Sequence, residues 1–575
     1  MSLPAARTAT RSLVATATLV LLAACALGPL QVDRSARAPD LAGFGHSAMQ
    51  ITSASADAQR WFAQGMAQAY AFNEDEAVRA FKAGLAQDPA CAMCAWGVAF
   101  QLGPNINNTT RGDLSEALRY VDLAKRNAEN LPPRDRALIE ALALRYAHAS
   151  ESRNTAVLTA PVCSTGGGSE VADPLDVAYA ERMRGLADRF PDDADVLSVY
   201  AEAEMIATRD DHWWEPLTGK PAGRIGELTQ RLEAALTQHP EHVGLNHYLI
   251  HAVDALPVAA RAEAAADRLG RLAPASPHLL HMPAHTYLQL GRYADASRVN
   301  QQALAADDAQ DAELGRQGFS ITKDWRNHDG QFLWYAALME GRGELALQTA
   351  RASAQRARGD SALAEFVRSR PLLTLLRLER WDDTLREPIA TGKKGVATLL
   401  GAYAHGVALA RSGQPQRAAE ALARLEPAAV ALIAAHASND YRDKMMRGIA
   451  ETTQARLRAE VASSEGRTDA ALAEQARALA FGKNLDATEP PMLAAENRLA
   501  LGDMQLKAGR WAEAEQSFRA DLAQHPKSGW ALRGLTRALG AQGRDAEAQA
   551  LRAELARGWL TADASLVNPT SSPTR

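Results

Sequence analysis

Aromatic residues make up only 6% of this 575-residue chain and β-branched stretches are few, which argues against a sheet-based core. Charge of one sign is also missing. Lys and Arg number 63 against 68 Asp and Glu, a net of −5 with no basic stripe, so neither nucleic acid nor an anionic membrane surface is an expected partner. The chain has no Gly-rich phosphate loop, no Gly-x-Ser-x-Gly elbow and no His-Glu-x-x-His, so no nucleotide cofactor is expected and the common hydrolase signatures are absent. Cysteine is scarce, at four residues. No His follows Cys94, so covalent haem attachment is not signalled. What is abundant is Ala, Leu, Arg and Glu within a 47% hydrophobic composition, which favours helix throughout.

The N-terminus reads as an export signal. Arg7 and Arg11 precede an apolar run over 13–24 that is too short to span a membrane as a helix. Its end, Leu22-Ala23-Ala24-Cys25, resembles the bacterial lipobox, in which cleavage leaves a lipidated cysteine; Ala26 rather than Asp then implies the outer membrane. The expected layout is a signal peptide over 1–24 and a lipidated N-terminus and tether over 25–57, placing the body on the periplasmic face of the outer membrane. Beyond Cys25 only Cys91, Cys94 and Cys163 remain, and three thiols in an oxidising compartment cannot all pair within one chain.

Internal periodicity gives the fold. Residues 61–89, WFAQGMAQAYAFNEDEAVRAFKAGLAQDP, combine small residues for close helix crossing with Ala77 and Phe81 on one face and a closing Asp-Pro. The segment resembles a tetratricopeptide repeat, whose period is about 34 residues. The same cadence returns as a Gly followed five residues later by Ala at Gly291/Ala296, Gly341/Ala346, Gly413/Ala418, Gly509/Ala514 and Gly543/Ala548. We therefore expect an all-α solenoid of helix pairs. N-terminal repeats occupy 58–150, a loop insertion 151–173, His-rich central repeats 174–310, middle helices 311–480, C-terminal repeats 490–562 and a disordered tail 563–575. A further loop is expected at 309–326.

Histidine supplies the candidate site. His247 and His251 are four residues apart, as are His281 and His285, which puts each pair on one helix face. The pairs are in register, since 281 − 247 and 285 − 251 are both 34. In the tetratricopeptide frame these places, together with His278 and Asp254, face the concave groove. Neighbouring helices packed about 8–10 Å apart allow their imidazoles to meet at one ion. Pro283 interrupts the second pair: either it kinks the helix and the pair survives, or a helix begins there and the pair is broken. Ser276-Pro277 is a good cap and first turn, which favours the kinked helix.

Residues 200–304, with YAEAE, DDHWWEPLTGKP, HPEHVGLNHYLIHAVDALP and SPHLLHMPAHTYLQLGRY, resemble a bacterial tetratricopeptide-repeat lipoprotein family marked by HYxIHA and HMPxH. The segments Cys91-Ala-Met-Cys94-Ala-Trp96-Gly97 and LGPNIN at 102–107 resemble the same family. The resemblance implies the fold and brings no activity with it. Two departures from its pattern are Asp254 in place of Glu and Gln331 in place of a second His after His328, although His328 itself falls at a groove-facing place. Cys91 and Cys94 have a spacing suited either to soft-metal ligation or to a small disulfide, and Met93 and Met282 tilt the metal toward copper.

Three functions compete. The first is an exported lipoprotein binding copper or zinc through His247, His251, His278, His281, His285, His328 and the Cys91/Cys94 pair. The second is a metal-free scaffold holding a protein or peptide in its groove. The third is a metal-dependent enzyme with Glu202 or Asp254 as base, and the missing motifs lean against it.

Overall fold

The structure, a computed structural model, describes residues 30–107, 114–147, 172–208, 213–216, 218–486, 488–493 and 496–567. The signal segment, Cys25, Cys163 and nearly all of the 151–173 insertion lie outside them. Among the described residues the regular structure is helical, arranged as antiparallel pairs along the chain. Among the described residues no helix is long and apolar enough to cross a membrane.

The repeat chemistry acts through close approach. A Cβ on Gly65 or Gly97 would come within 2.5 or 2.6 Å of the Phe81 ring, so the helices Ala56–Tyr70 and Ala92–Gln101 both close onto the helix Glu74–Gln87 that carries it. At the inter-helix turns, Gly291, Gly341, Gly413, Gly509 and Gly543 all adopt φ between +69° and +79°, the left-handed conformation in which a Cβ is penalised. The alanine five residues after each is fully buried. Helices also pair where the glycine–alanine cadence is missing, among them Pro174–Arg189 with Ala194–Ala207 and Ile225–Gln238 with Val243–Ala252.

Both ends fold back onto the middle of the solenoid. Residues 30–55 are not a free tether. Phe44 and Met49 are buried, Ala275 N donates to Gly43 O (2.9 Å), and Ser47 Oγ donates to Asp195 Oδ1 (3.0 Å). Burial of Phe44 and Met49, on the order of 1.5–3 kcal/mol each, adds to these hydrogen bonds in holding the segment to the body. At the other end, Trp530 Nε1 donates to Leu338 O (2.8 Å) and Trp559 Nε1 to Met339 O (3.0 Å), the two indoles meeting edge to face at 5.1 Å. The first residues of the expected tail are ordered. Ala564–Val567 is helical, Leu566 is buried and Asp563 Oδ2 accepts from Glu344 N (2.9 Å). The loop expected at 309–326 is confined to 317–325, because the helix Tyr293–Arg316 continues for 24 residues on buried Ala303, Asp307 and Leu314.

Candidate metal centre

Three consecutive repeats build the site. The helix Val243–Ala252 carries His247 and His251, and Ser276 Oγ caps the next first helix by accepting from Leu279 N (3.2 Å) with Pro277 in its first turn. Pro283 divides that helix into Pro277–His281 and Pro283–Gln289, yet Met282 between them stays right-handed helical and its N donates to His278 O (2.9 Å). The chain is kinked and the His281/His285 pair survives, with the two Nε2 atoms 3.1 Å apart. The helix Arg326–Glu340 brings His328.

The six imidazoles form two triads. His247, His251 and His278 offer ring nitrogens within 4.8 Å of one another, and so do His281, His285 and His328. His247 Nε2 lies 3.0 Å from His251 Nε2 and 3.1 Å from His278 Nε2. None of the six side chains belongs to a residue more than 7% exposed, so the groove-facing places are covered rather than open. Phe72 lies 4.5 Å from His247 and 5.1 Å from His278, Trp325 stacks on His278 at 4.3 Å, and Phe332 lies 4.4 and 4.5 Å from His281 and His285. Phe72 adopts φ +51°, an uncommon conformation for a bulky residue, and its carbonyl accepts from Lys323 Nζ (2.9 Å).

The outer hydrogen bonds decide the tautomers. His247 Nδ1 donates to Tyr70 O (2.7 Å), and a carbonyl can only accept. His285 Nδ1 donates to Asp254 Oδ2 (2.6 Å). His281 Nδ1 donates to Asn300 Oδ1 (2.7 Å), and that amide is oriented by its own Nδ2 donating to Ala296 O (2.7 Å). In each ring the proton is thus on Nδ1 and the lone pair on Nε2. With both rings neutral, His281 and His285 face each other lone pair to lone pair at 3.1 Å, an arrangement that a cation between them would stabilise. With metal–nitrogen bonds of about 2.0–2.1 Å, edges of 3.0–3.1 Å subtend roughly 90–100° at a shared ion. Two further ring nitrogens, His278 Nδ1 and His328 Nε2, are buried without a hydrogen-bond partner among the described residues.

Electrostatics keeps His247, His251, His278, His281 and His328 neutral and fit to ligate. Burial pushes the His247 and His328 imidazoles down to about 3. Burial first, and neighbouring histidines second, lower His251, His278 and His281.

The remaining expected site residues sort differently. Asp254 anchors His285; the grouping of Asp254, His285 and Glu489 uses the Nδ1 side of that ring, where Glu489 Oε2 stands 3.6 Å away. Glu202 lies outside both triads, takes the Tyr248 hydroxyl, and is pushed up to about 7 by burial. His328, whose neighbour Gln331 breaks the family pattern, completes the second triad, while Gln331 Oε1 accepts from Arg370 Nη2 (2.7 Å). Cys91 and Cys94 are corrected as ligands. They are bonded to each other, with Cα atoms 5.3 Å apart, and a disulfide has no thiolate to offer a metal. Asn300, Asp329 and the Tyr70 carbonyl were not anticipated. The one available signal was Asn300, a polar residue on the buried face of the second helix of a repeat.

No protein-family model matches the chain, and no curated protein matches it. Among solved structures, the human IFIT1 dimer with m7Gppp-AAAA is 10% identical over 77% of this chain and 86% of that one, with a TM-score of 0.29. The APC/C hetero-tetramer Cut9–Hcn1 is 12% identical over 88% and 94%, with a TM-score of 0.23, and the P58(IPK) TPR domain 12% over 85% and 99%, with a TM-score of 0.21. Superpositions this loose bear on neither site nor function. The tetratricopeptide-like solenoid rests on the helix pairing and the glycine–alanine frame described above.

Proposed function

We propose that this chain is a transition-metal-binding helical-repeat protein of the cell envelope, holding copper or zinc in its histidine triads and tethered to the outer membrane through a lipid on Cys25. One observation carries the metal reading: His247, His281 and His285, with their Nδ1 protons tied back to Tyr70 O, Asn300 and Asp254, turn Nε2 atoms into the two triads, those of His281 and His285 3.1 Å apart. Such outer-shell acceptors are the usual companions of metal-ligating histidine. The envelope location rests on the Leu22-Ala23-Ala24-Cys25 motif alone.

The test is metal content. The full chain is exported without a polyhistidine tag and measured by mass spectrometry beside a variant with His247, His251, His281 and His285 changed to Ala. Near-stoichiometric copper or zinc, lost in a variant whose circular dichroism is unchanged, is the expected result. A protein that stays metal-free after titration with either ion overturns the reading and leaves a scaffold whose surface serves a protein or peptide partner.

A further inference from the structure

The solenoid repeats its ligands. His281 and His285 follow His247 and His251 by exactly one 34-residue period, and in both triads the third imidazole comes from the start of the next first helix, His278 and His328. His328 follows His278 by 50 residues, not 34, because the intervening helix Tyr293–Arg316 is extended. Rings of different triads also neighbour one another, less closely than the nearest rings within a triad, whose centroids lie 4.6–5.0 Å apart. His278 and His281 are 6.2 Å apart between centroids and His251 and His285 6.5 Å, against 6.2 Å for His251–His278 and 6.3 Å for His285–His328.

We propose that the two triads form one coupled two-metal centre, holding a pair of copper ions and binding dioxygen between them. This inference rests on the metal-binding reading above. Two-metal sites generally hold their ions about 3.5–4 Å apart, within reach of one diatomic bridge, and the two neighbouring triads supply the donors for such a pair. An all-imidazole donor set ranks copper above the other first-row divalent ions. The donors are imidazoles, so the ions' charge is balanced by outer carboxylates, Asp254 under His285 and Glu489 Oε2 3.6 Å from the same ring nitrogen. Two Cu(I) ions bring half the charge of two divalent ions into this buried space, which lowers the desolvation cost. The aromatic cover of Phe72, Trp325 and Phe332 suits a small uncharged ligand.

In the binding step each Cu(I) gives one electron to dioxygen, one copper–oxygen bond forms at each end, and the oxygen–oxygen bond falls from double to single. The products are two Cu(II) ions and bound peroxide, with no proton consumed. Release returns both electrons to the metals.

The full chain is loaded with Cu(I) under nitrogen and then exposed to dioxygen. The expected result is two copper ions per chain, one dioxygen taken up per two copper, a new intense near-ultraviolet absorption, and a Cu(II) resonance signal integrating to a small fraction of the copper present. His278→Gln and His328→Gln each should leave one ion per chain that takes up no dioxygen and that gives a full-intensity Cu(II) signal once oxidised with added ferricyanide. Two ions with a full-intensity signal in the unmodified protein, or two ions that take up no dioxygen, overturn the proposal. A single ion per chain overturns the pair while leaving metal binding intact, and no copper at all removes the metal-binding reading with it.

Discussion

Replacing Asp254 tests whether the outer hydrogen bonds serve the metal or only the fold. Its Oδ2 takes the His285 Nδ1 proton at 2.6 Å, and the carboxylate is buried, so the contact is charge-assisted and little screened by water. With Asp254→Ala, the His285 ring loses both its orientation and the partner that keeps the lone pair on Nε2. Loss of an outer-shell partner typically costs about 10–100-fold in metal affinity, which is about 1.4–2.7 kcal/mol. Asp254→Asn keeps an acceptor oxygen but not the charge, and its loss should be smaller. The assay is competition for Cu(I) against a chromophoric chelator, run beside thermal unfolding of the metal-free protein. Affinity should fall in the order wild type, Asn, Ala, by far more than the metal-free stability does. Equal affinity in all three proteins, or a loss fully matched in the metal-free state, would refute the reasoning.

Other predictions follow from the same arrangement. Glu202 titrates near 7 in the folded protein against 4.5 when unfolded, so its protonated form stabilises the fold fully below pH 4.5 and that contribution is lost as pH rises through 7. Between those limits the unmodified protein should lose on the order of 3 kcal/mol relative to Glu202→Gln, read as diverging denaturant midpoints, and parallel midpoints from pH 4.5 to 8 would contradict it. Stripping the metal with a chelator should lower the thermal transition, with copper at one hundred times its dissociation constant restoring about 2.7 kcal/mol; an unmoved transition would mean that the folded state binds nothing. Replacing both Cys91 and Cys94 by Ser should leave metal content unchanged, because their sulfurs are committed to each other. A copper stoichiometry that drops in this folded variant would reinstate them as ligands.

Much of the fold was readable along the chain, because a tetratricopeptide-like repeat writes its packing rule locally: a glycine that must turn left-handed and an alanine that must disappear into the helix contact recur together, from Gly291/Ala296 to Gly543/Ala548. The four-residue spacing of His247/His251 and His281/His285 fixes each pair to one face for the same local reason, the helical period. What periodicity could not decide was partnership across the solenoid. His278 shares a helical segment with His281 but turns to His247 and His251, and His328 reaches the second triad across 43 residues from His285. Neither the Tyr70 carbonyl, 177 residues before His247, nor the aromatic cover supplied by Phe72 and Trp325 carries any sequence signal, because superhelical closure brings them in. The apparent tether was misjudged for the same reason: an Ala- and Ser-rich composition reads as a linker until the tertiary structure offers Phe44 and Met49 a surface to bury against. The sequence by itself determined the helical repeat and which histidines share a face. Only the tertiary structure decided which faces meet, since that depends on the superhelix and not on the period within one helix.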